Sequence, residues 1–411
     1  MKFGRVFHLG SGAGAVGVLV AGLLAASTGG ALAGGGPLYV SPSGASGNAD
    51  TSCATAKYST INSAVAAAPA GGTVVVCHGT YAEDVAIAKS LTLVGRLATI
   101  DATGLDNGVM ITHSWVRVSG FIVVNALGEG ILAQGSPVAG PIINGQPTTT
   151  GIPITHVTIT LNTVRHNDLG TPSSGYPECQ AQGPIPGDCG EGIHLWSVAY
   201  SWVANNRVAD NSGGILLTDE FGPTHDNTIT DNVVENNVFD CGVTVVSHNL
   251  GVDPTTLHRL KSFGGVYDNL VSDNVIKGNG TKGFGAGVVI AAPFPGAAAY
   301  HNTVRGNYIA GNGIAGVTLH AHAPGAFVGN NMILGNMIGK NNLLGDTDTV
   351  PPDMQTTGIL VWSLSTHVNV VIAGNKIFDD HYGIWLNSAV SAPGAAVHNV
   401  FFGVAVPVKH A

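Results

Sequence analysis

A short element recurs along most of this 411-residue chain and limits the folds open to it. It reads Asn-x-[Val/Ile]-x-x-Asn, and the last of its seven copies ends in Asp. We expect the central Val or Ile to point inward and the flanking amides to stack at bends, where they would hydrogen-bond from one repeat to the next. The copies begin at Asn162, Asn206, Asn232, Asn274, Asn307, Asn331 and Asn375.

A second element, Gly-[Ile/Val]-x-[Leu/Val/Ile], follows each copy. Its two apolar residues alternate and so share one face of a β-strand, while the Gly supplies the backbone freedom to enter the strand from a turn. Without insertions the repeat length is 22 to 29 residues, which suits a stacked coil, and no helical apolar period of 3.6 is visible. The element begins at Gly192, Gly214, Gly242, Gly287, Gly316, Gly358 and Gly383, with an earlier relative at Gly130.

These paired elements resemble the repeats of the right-handed parallel β-helix superfamily, the pectin-lyase-like solenoids. The resemblance implies an all-β, single-stranded right-handed parallel β-helix over residues 34–411, with an N-terminal cap at about 37–72 and coils at about 73–402. Within the cap, Ser59 or Thr60 is positioned to begin a short amphipathic helix. Such a helix would cover the open end of the solenoid, which otherwise exposes unpaired backbone and apolar side chains.

The N-terminus predicts export. Lys2 and Arg5 precede an apolar, Gly/Ala-rich run that ends at Ala31-Leu32-Ala33, a pattern typical of a secretory signal peptide covering residues 1–33. We expect cleavage after Ala33, secretion to the extracellular space and no membrane span afterwards; the alternative is a retained anchor. Cleavage would remove Lys2 and Arg5 and take the net charge from −9 to −11. This acidic balance argues against a nucleic-acid partner.

The five cysteines fit an exported chain, because disulfides persist in oxidising compartments. We predict one bridge between Cys53 and Cys77 in the N-terminal segment. A second is predicted between Cys179 and Cys189, which bracket a Pro/Gly-rich loop. Cys241 remains, and its place beside a repeat strand predicts a buried thiol.

Four insertions interrupt the repeat next to the Gly-Ile-x-Leu strand. Residues 134–153 and 249–266 follow such a strand, whereas residues 168–190 and 341–357 precede one. Stacked strands would then form the floor of a groove and the insertions its walls. We predict the working face of the protein there.

Titratable side chains cluster where this strand should end. Counted from the Gly, Glu220 and His248 hold the same position in adjacent coils, which lie ~4.8 Å apart. Asp219 lies alongside, His194 one coil before and His322 two coils further on. These five are the candidate catalytic residues, because a carboxylate beside a histidine can act as an acid–base pair. They could instead hold a divalent metal ion such as Ca²⁺, or form a polar turn that satisfies backbone groups.

Outward positions of the same strands carry aromatic side chains. Trp196, Trp362 and Trp385 could stack on sugar rings through their apolar faces. His320 joins them as a candidate substrate-binding residue, and could add an imidazole ligand to a metal site. The alternative is that the tryptophans pack beneath the inserted loops.

The resemblance implies carbohydrate chemistry without fixing a reaction, since this fold carries many activities. The polygalacturonase motifs Asn-Thr-Asp, Gly-His-Gly and Arg-Ile-Lys do not occur. Uronate lyases need a cation that neutralises the carboxylate of the substrate. Arg259 and Lys261 lie in an inserted loop, from which their side chains could reach the groove. We predict a secreted lyase- or hydrolase-like protein that binds or processes an extracellular polysaccharide or cell-surface glycan. The alternatives are a non-catalytic exported scaffold that presents loops to a macromolecule and, after it, metal delivery through histidines.

Overall fold

The computed structural model describes residues 36–43, 50–143, 145, 148–167, 190–283, 285–345, 355–364 and 366–411. Within them, stacked parallel strands form one solenoid, as the repeats predict. The predicted signal peptide and the predicted Cys179–Cys189 bridge lie outside the described residues. No helix in the described part of the chain is both long and apolar enough to cross a bilayer.

Each coil contributes strands to as many as four parallel rows, here named A to D in the order in which a coil visits them. Rows A and B share one hydrogen-bonded sheet because two long strands, Leu91–Asp101 and Val116–Val124, run through both. The other strands of row A are Leu38–Val40, Gly72–Val76, Thr158–Thr160, Trp202–Ala204, Thr228–Thr230, Leu270–Ser272, Thr303–Arg305, Met332–Leu334 and Val371–Ala373. Those of row B are Gly79–Tyr81, Thr163–Arg165, Arg207–Ala209, Val233–Glu235, Val275–Lys277, Tyr308–Ala310, Met337–Gly339, Lys376–Phe378 and Val400–Phe402.

Row C contains the Gly-Ile-x-Leu strands and runs the length of the solenoid. Its strands are Val85–Ile87, Val109–Ile111, Ile131–Gln134, Glu191–Trp196, Gly213–Thr218, Val243–Val246, Val288–Ala292, Val317–Ala321, Thr357–Ser363, Tyr382–Leu386 and Val406–His410. Row D is shorter and consists of Ile154–Thr155, Val198–Ala199, Thr224–His225, Val266–Tyr267 and Ala299–Tyr300. A further pair joins Val368–Asn369 to Val390–Ser391.

The core follows the alternation in the Gly-Ile-x-Leu element. Ile215 and Leu217 are buried and lie in register with Val243 and Val245 of the next coil. Equivalent pairs continue along row C and join one apolar cluster that fills the solenoid. Burying each such side chain stabilises the fold by about 1.5–3 kcal/mol. The predicted inward positions are therefore confirmed.

The amides form ladders, as predicted. Asn274 donates from Nδ2 to Oδ1 of Asn307 at 3.0 Å and accepts from Nδ2 of Asn232 at 3.0 Å. There are three such ladders among the described residues, because the element occurs twice, overlapping, in four successive coils. They are Asn162–Asn206–Asn232–Asn274–Asn307–Asn336–Asn375–Asn399, Asn167–Asn211–Asn237–Asn279–Asn312–Asn341 and Asn227–Asn269–Asn302–Asn331.

The structure corrects two sequence interpretations. The copy that begins at Asn331 belongs to row A, in line with Asn302, and not to row B with the other copies. The second concerns the glycine of the Gly-Ile-x-Leu element, which was expected to ease entry into the strand from a turn. A Cβ on Gly192 would lie 2.3 Å from Val208 Cγ1 and 2.8 Å from Nδ2 of Asn211. Space beside the amide ladder, and not a turn conformation, selects glycine there.

The N-terminal end is covered by a short helix, Ile61–Ala67, and a 3₁₀ turn, Cys53–Thr55. Thr60 is the N-cap, since its hydroxyl accepts from Ser63 N at 3.3 Å, so the predicted cap helix is confirmed. The strand Leu38–Val40, within the stretch predicted as a cap, already pairs with row A. At the other end, Val406–His410 extends row C beyond residue 402.

Two cysteine predictions are confirmed. Cys53 and Cys77 form a disulfide that ties the 3₁₀ turn to the end of the strand Gly72–Val76. Cys241 is a buried free thiol, and its Sγ accepts from the backbone N–H of Ala286 at 3.1 Å.

Candidate active site

Glu220 and His248 lie just beyond the carboxyl ends of adjacent row C strands. The parallel register sets Ile215 beside Val243, so the residues that follow each strand also stack coil on coil. Oε1 of Glu220 and Nδ1 of His248 share a hydrogen bond. Their side chains are 34% and 28% exposed, which leaves the pair open to a bound molecule. The predicted contact is present.

The charge state of Glu220 fixes the direction of this hydrogen bond. Burial alone would raise the pKa of Glu220, but hydrogen bonds from His248 and Thr218 and the charge of His248 outweigh it and lower the pKa to about 2. Glu220 is therefore ionised at neutral pH and accepts the bond, so Nδ1 of His248 carries the proton. The other imidazolium proton is on Nε2, and its loss gives a neutral ring in which Nε2 is the basic atom.

Asp219 is fully buried and holds the segment that carries His248. Its carboxylate accepts from Ser247 Oγ at 2.7 Å and from the backbone N–H groups of His248 at 2.6 Å, Asn249 at 3.1 Å and Gly265 at 2.5 Å. Burial, and then the charge of Glu220, raise the pKa of Asp219 to about 6, against the opposing effect of these bonds. Asp219 thus positions the backbone of His248, and its carboxylate is buried, whereas a residue that contacts substrate directly would be exposed.

His194 is also buried, against the expectation that it lies exposed on the groove floor. Its Nδ1 lies 2.9 Å from Oε1 of Glu129, and its Nε2 lies 2.9 Å from Oγ1 of Thr218. Because Thr218 also donates to Glu220, His194 contacts the exposed pair only indirectly. Glu129 stands directly before Gly130, and Glu191 directly before Gly192. This repeated Glu-Gly pair is a signal in the sequence that predicts a place for Glu129 beside Glu191.

The outward side chains further along row C cover one another. Trp385 is only 2% exposed, packs with Leu360 and Tyr382, and lies under the ammonium group of Lys409 at 3.8 Å. Trp362 and His320 are buried as well. Trp362, Trp385 and His320 are therefore not exposed on the groove floor as expected, because adjacent coils are close enough for large outward side chains to shield each other.

Trp196 keeps part of its surface exposed, and other rings accompany it. It stacks between His194, with ring centroids 5.3 Å apart, and Phe221, at 4.1 Å. Phe294 lies 5.6 Å from the ring of His248 and is 52% exposed. The sequence pattern predicted neither phenylalanine as part of the site, although Phe221 directly follows Glu220.

His322 lies two coils beyond His248, as its position after the Gly predicts. Its side chain is exposed, and its ring lies 5.1 Å from that of His320. The structure thus gathers Glu220, His248 and Asp219 in one place and sets His322 apart along the same edge.

Two insertions border the pair on the carboxyl side of row C. Nδ2 of Asn249 donates to the carbonyl oxygens of Thr149 at 3.1 Å and Phe263 at 2.7 Å, so residues 134–153 and 249–266 meet on one side, as predicted. On the amino side, Nδ2 of Asn342 donates to Gln355 O at 2.7 Å. Residues 168–189 and 346–354 lie outside the described part.

The cations of the second insertion point away from the groove. Arg259 lies 2.9 Å from Nε2 of His301 and packs over Tyr300. Lys261 is 3.4 Å from Asp268 and lies over Tyr267. These partners belong to row D and the turn after it, so the expectation that Arg259 and Lys261 lean into the groove is wrong.

A surface depression of about 390 Å³ lies elsewhere, outside row B, where Glu235, Lys277, Tyr308 and Lys340 line it. Glu235 bonds both Arg207 at 2.7 Å and Lys277 at 3.0 Å. Because Glu235 is paired with two cations and no histidine is among the described residues that line the depression, it lacks an acid–base pair like that of Glu220 and His248.

Comparison with known proteins agrees with this architecture. A family model described as "Right handed beta helix region" matches residues 107–258. The pectate lyase Pel9A superposes with a TM-score of 0.57 at 14% identity, covering 90% of this chain and 79% of that one. The chain has a right-handed parallel β-helix fold, as its repeats predict. No curated protein matches the sequence of this β-helix.

Two more distant structures resemble the β-helix. The A-module of Azotobacter vinelandii mannuronan C-5 epimerase AlgE4 has 16% identity and a TM-score of 0.42, over 85% of this chain and 94% of that one. A tailspike protein of an E. coli bacteriophage, solved with a pentasaccharide, has 9% identity and a TM-score of 0.43, over 82% and 61%. Similarity at these levels concerns the fold and assigns no activity.

Proposed function

We propose that this protein is exported and binds a polysaccharide beside row C, where His248 acts as a general base on the bound chain. The observation that carries the proposal is the hydrogen bond between Nδ1 of His248 and the ionised carboxylate of Glu220, on a partly exposed edge bordered by two insertions. The fold is shared with a pectate lyase, an enzyme named for a polysaccharide, which supports the substrate class.

The pair has the parts that base catalysis needs. Glu220 holds the imidazole in the tautomer with its proton on Nδ1, so Nε2 is the atom that accepts a proton from substrate or water. The carboxylate then stabilises the imidazolium that forms. Asp219 fixes the backbone of His248 and with it the position of the ring.

The neighbouring rings supply a surface for sugars. Phe294 is half exposed beside His248, and the Trp196–Phe221 stack lies on the other side of Glu220. The apolar faces of pyranose rings pack on aromatic side chains, which orients a chain without requiring charged partners. We propose that these three rings position the sugar next to Nε2.

Proton abstraction is the step that the pair supports best. With a pKa of about 2, Glu220 cannot donate a proton at neutral pH, so it does not fill the acid role of a hydrolase. Arg259 and Lys261 are engaged with row D and the turn after it, so they do not neutralise a uronate carboxylate here. Elimination and water activation both begin with the same proton transfer, and their products distinguish them.

The test is a panel of neutral and uronate-containing polysaccharides with the wild-type protein and the variant His248→Gln. Elimination gives an unsaturated product that absorbs in the ultraviolet, whereas hydrolysis gives only new reducing ends. His225→Gln is the matched control, because His225 also pairs with a carboxylate, Asp226 at 2.7 Å, on another side of the solenoid. We expect a rate loss of at least about 100-fold for His248→Gln and none for the control. Equal rates in all three proteins would contradict the proposal.

A second candidate function is binding without catalysis, the scaffold alternative. A stack of rings on successive coils favours it: Trp115 and His156 lie 3.8 Å apart, and Tyr200 follows at 6.1 Å. Trp115 and Tyr200 are 62% and 54% exposed, on the turn between rows D and A. If the panel gives no product but a polysaccharide binds, and Trp115→Ala weakens binding more than His248→Gln, this alternative holds.

A further inference from the structure

We propose that Glu129, Glu191 and His194 form a binding site for one divalent transition-metal ion of the Zn²⁺ or Mn²⁺ type. The three side chains come from two adjacent coils at the amino-terminal part of row C. One ligand atom of each lies within 4.8 Å of the others, and all three residues are buried. The inference does not depend on the proposed action on a polysaccharide.

The distances suit a shared ion. Donor atoms that each lie about 2.0–2.2 Å from a metal ion are separated by roughly 3–4.4 Å. Nδ1 of His194 and Oε1 of Glu129 are 2.9 Å apart, just below that range, and all three ligand atoms lie within 4.8 Å of one another. Small movements of the two carboxylates would place an ion between the three groups.

The second nitrogen of His194 is oriented as in metal-bound histidines. Nε2 lies 2.9 Å from Oγ1 of Thr218, a hydroxyl that can accept its proton. A hydrogen bond of this kind fixes the tautomer and leaves Nδ1 to coordinate the metal. This contact is independent of the positions of the two carboxylates.

Burial of two like charges also favours a cation here. Glu129 and Glu191 occupy equivalent positions, each one residue before a repeat Gly, and coils are ~4.8 Å apart. The charges of two buried carboxylates at that spacing are stabilised by a cation, either a metal ion or the imidazolium of His194, whose Nδ1 lies 2.9 Å from Glu129. The next coil has Gly213 in line, where a Cβ would lie 3.2 Å from Glu191 Cγ and 3.4 Å from its Oε1. The missing side chain leaves room for the Glu191 carboxylate and an ion.

The donor set selects the class of metal. One imidazole nitrogen with carboxylate oxygens suits Zn²⁺, Mn²⁺ or a similar ion, whereas Ca²⁺ takes six to eight oxygen ligands. Three protein ligands also leave coordination positions for water. We therefore expect a preference for Zn²⁺ and Mn²⁺ over Ca²⁺ at this site.

The test is metal uptake by the whole purified protein after treatment with a chelator. Zn²⁺ or Mn²⁺ binding is measured by elemental analysis and by titration, and bound Mn²⁺ is examined by electron spin echo spectroscopy for coupling to an imidazole nitrogen. We expect one ion per chain, a higher melting temperature with the ion, and affinity at least tenfold weaker in Glu191→Gln and His194→Gln. Thr218→Val, which keeps all three ligands, should weaken affinity by 10- to 100-fold.

His320→Gln is the matched control, because His320 is a buried row C histidine whose Nε2 lies 2.7 Å from a threonine hydroxyl, that of Thr318. It should bind the ion as the wild type does, with the same nitrogen coupling. Absence of uptake by the wild-type protein would overturn the proposal and indicate that the imidazolium of His194 stabilises the carboxylates. Equal affinity in the wild type and in a folded Glu191→Gln variant would overturn it too.

Discussion

Glu220 and His248 are 28 residues apart in sequence and share a hydrogen bond between Oε1 and Nδ1, one coil apart in the solenoid. The contact follows from the parallel register of row C. Residues that stand the same number of positions after the repeat Gly lie side by side in adjacent coils. Insertions change the number of residues between the two positions but not their spatial relation. A repeat can therefore bring together an acid and a base that no local motif would reveal.

The negative charge of Glu220 should contribute more to the catalytic rate than its hydrogen bond to His248 does. In Glu220→Gln the amide oxygen can still accept from Nδ1, but the negative charge that stabilises the imidazolium is gone. On a substrate found with the panel above, we expect kcat to fall by about 10²–10⁴ with little change in KM. The acid limb of the pH–rate profile should move to lower pH, because removing the charge disfavours protonation of the ring. An unchanged profile would contradict this role.

Asp219 should control the stability of the segment around His248. In Asp219→Asn one acceptor oxygen becomes an amide that faces the donors Ser247 and Gly265. Leaving a buried donor unsatisfied costs about 1–3 kcal/mol, so the free energy of unfolding should fall by that amount in urea titrations. Residues 249–266 should also become more sensitive to protease. Asp226→Asn, an exposed aspartate beside His225, is the control and should change neither measurement.

The amide ladders should account for a measurable part of the fold's stability. Asn274 is buried, and its Oδ1 accepts from N and Nδ2 of Asn232 at 2.9 and 3.0 Å. Asn274→Leu leaves the buried N–H of Asn232 without its acceptor and removes the donor to the carbonyl of Ile229, so we expect a loss of roughly 2–5 kcal/mol in urea unfolding. Asn369→Leu replaces an exposed asparagine on a strand and should change stability by less than about 0.5 kcal/mol. Similar losses in both would argue against the ladder as the cause.

The sequence predicted those parts of the molecule that depend on periodicity. The inward positions of row C, the amide ladders and the contact of Glu220 with His248 all follow from counting residues after a repeat Gly. Burial on the outer face could not be predicted in the same way, because it depends on neighbours that no period specifies. Trp385 is covered by Tyr382 and by Lys409 from the final strand. Arg259 likewise pairs with His301, a partner that its own segment does not reveal.

Asp380 ends a ladder that otherwise consists of asparagines, and its two oxygens differ. Oδ1 accepts from the backbone N–H of Asn341 at 3.0 Å. Oδ2 takes the position that the amide nitrogen has in the asparagines of the ladder. A Cβ built on Gly358 would lie 3.3 Å from Oδ2 of Asp380, and a Cβ built on the equivalent Gly316 would lie 2.8 Å from Nδ2 of Asn341. That nitrogen donates to a carbonyl of the preceding coil, as Asn341 does to Ile309. Only a protonated Asp380 could do the same.

This mismatch predicts a stability that depends on pH. Burial raises the pKa of Asp380 to about 7, above its value in the unfolded chain, so the native state binds more protons between about pH 4 and 7. The contribution of Asp380 to stability is therefore greatest below about pH 4 and is lost as the pH rises through 7. Asp380→Asn should raise the free energy of unfolding at pH 8 by roughly 1–4 kcal/mol and give little gain at pH 4. Asp379→Asn, at the exposed neighbour, should show no such gain, and an equal gain for Asp380→Asn at both pH values would refute the protonation argument.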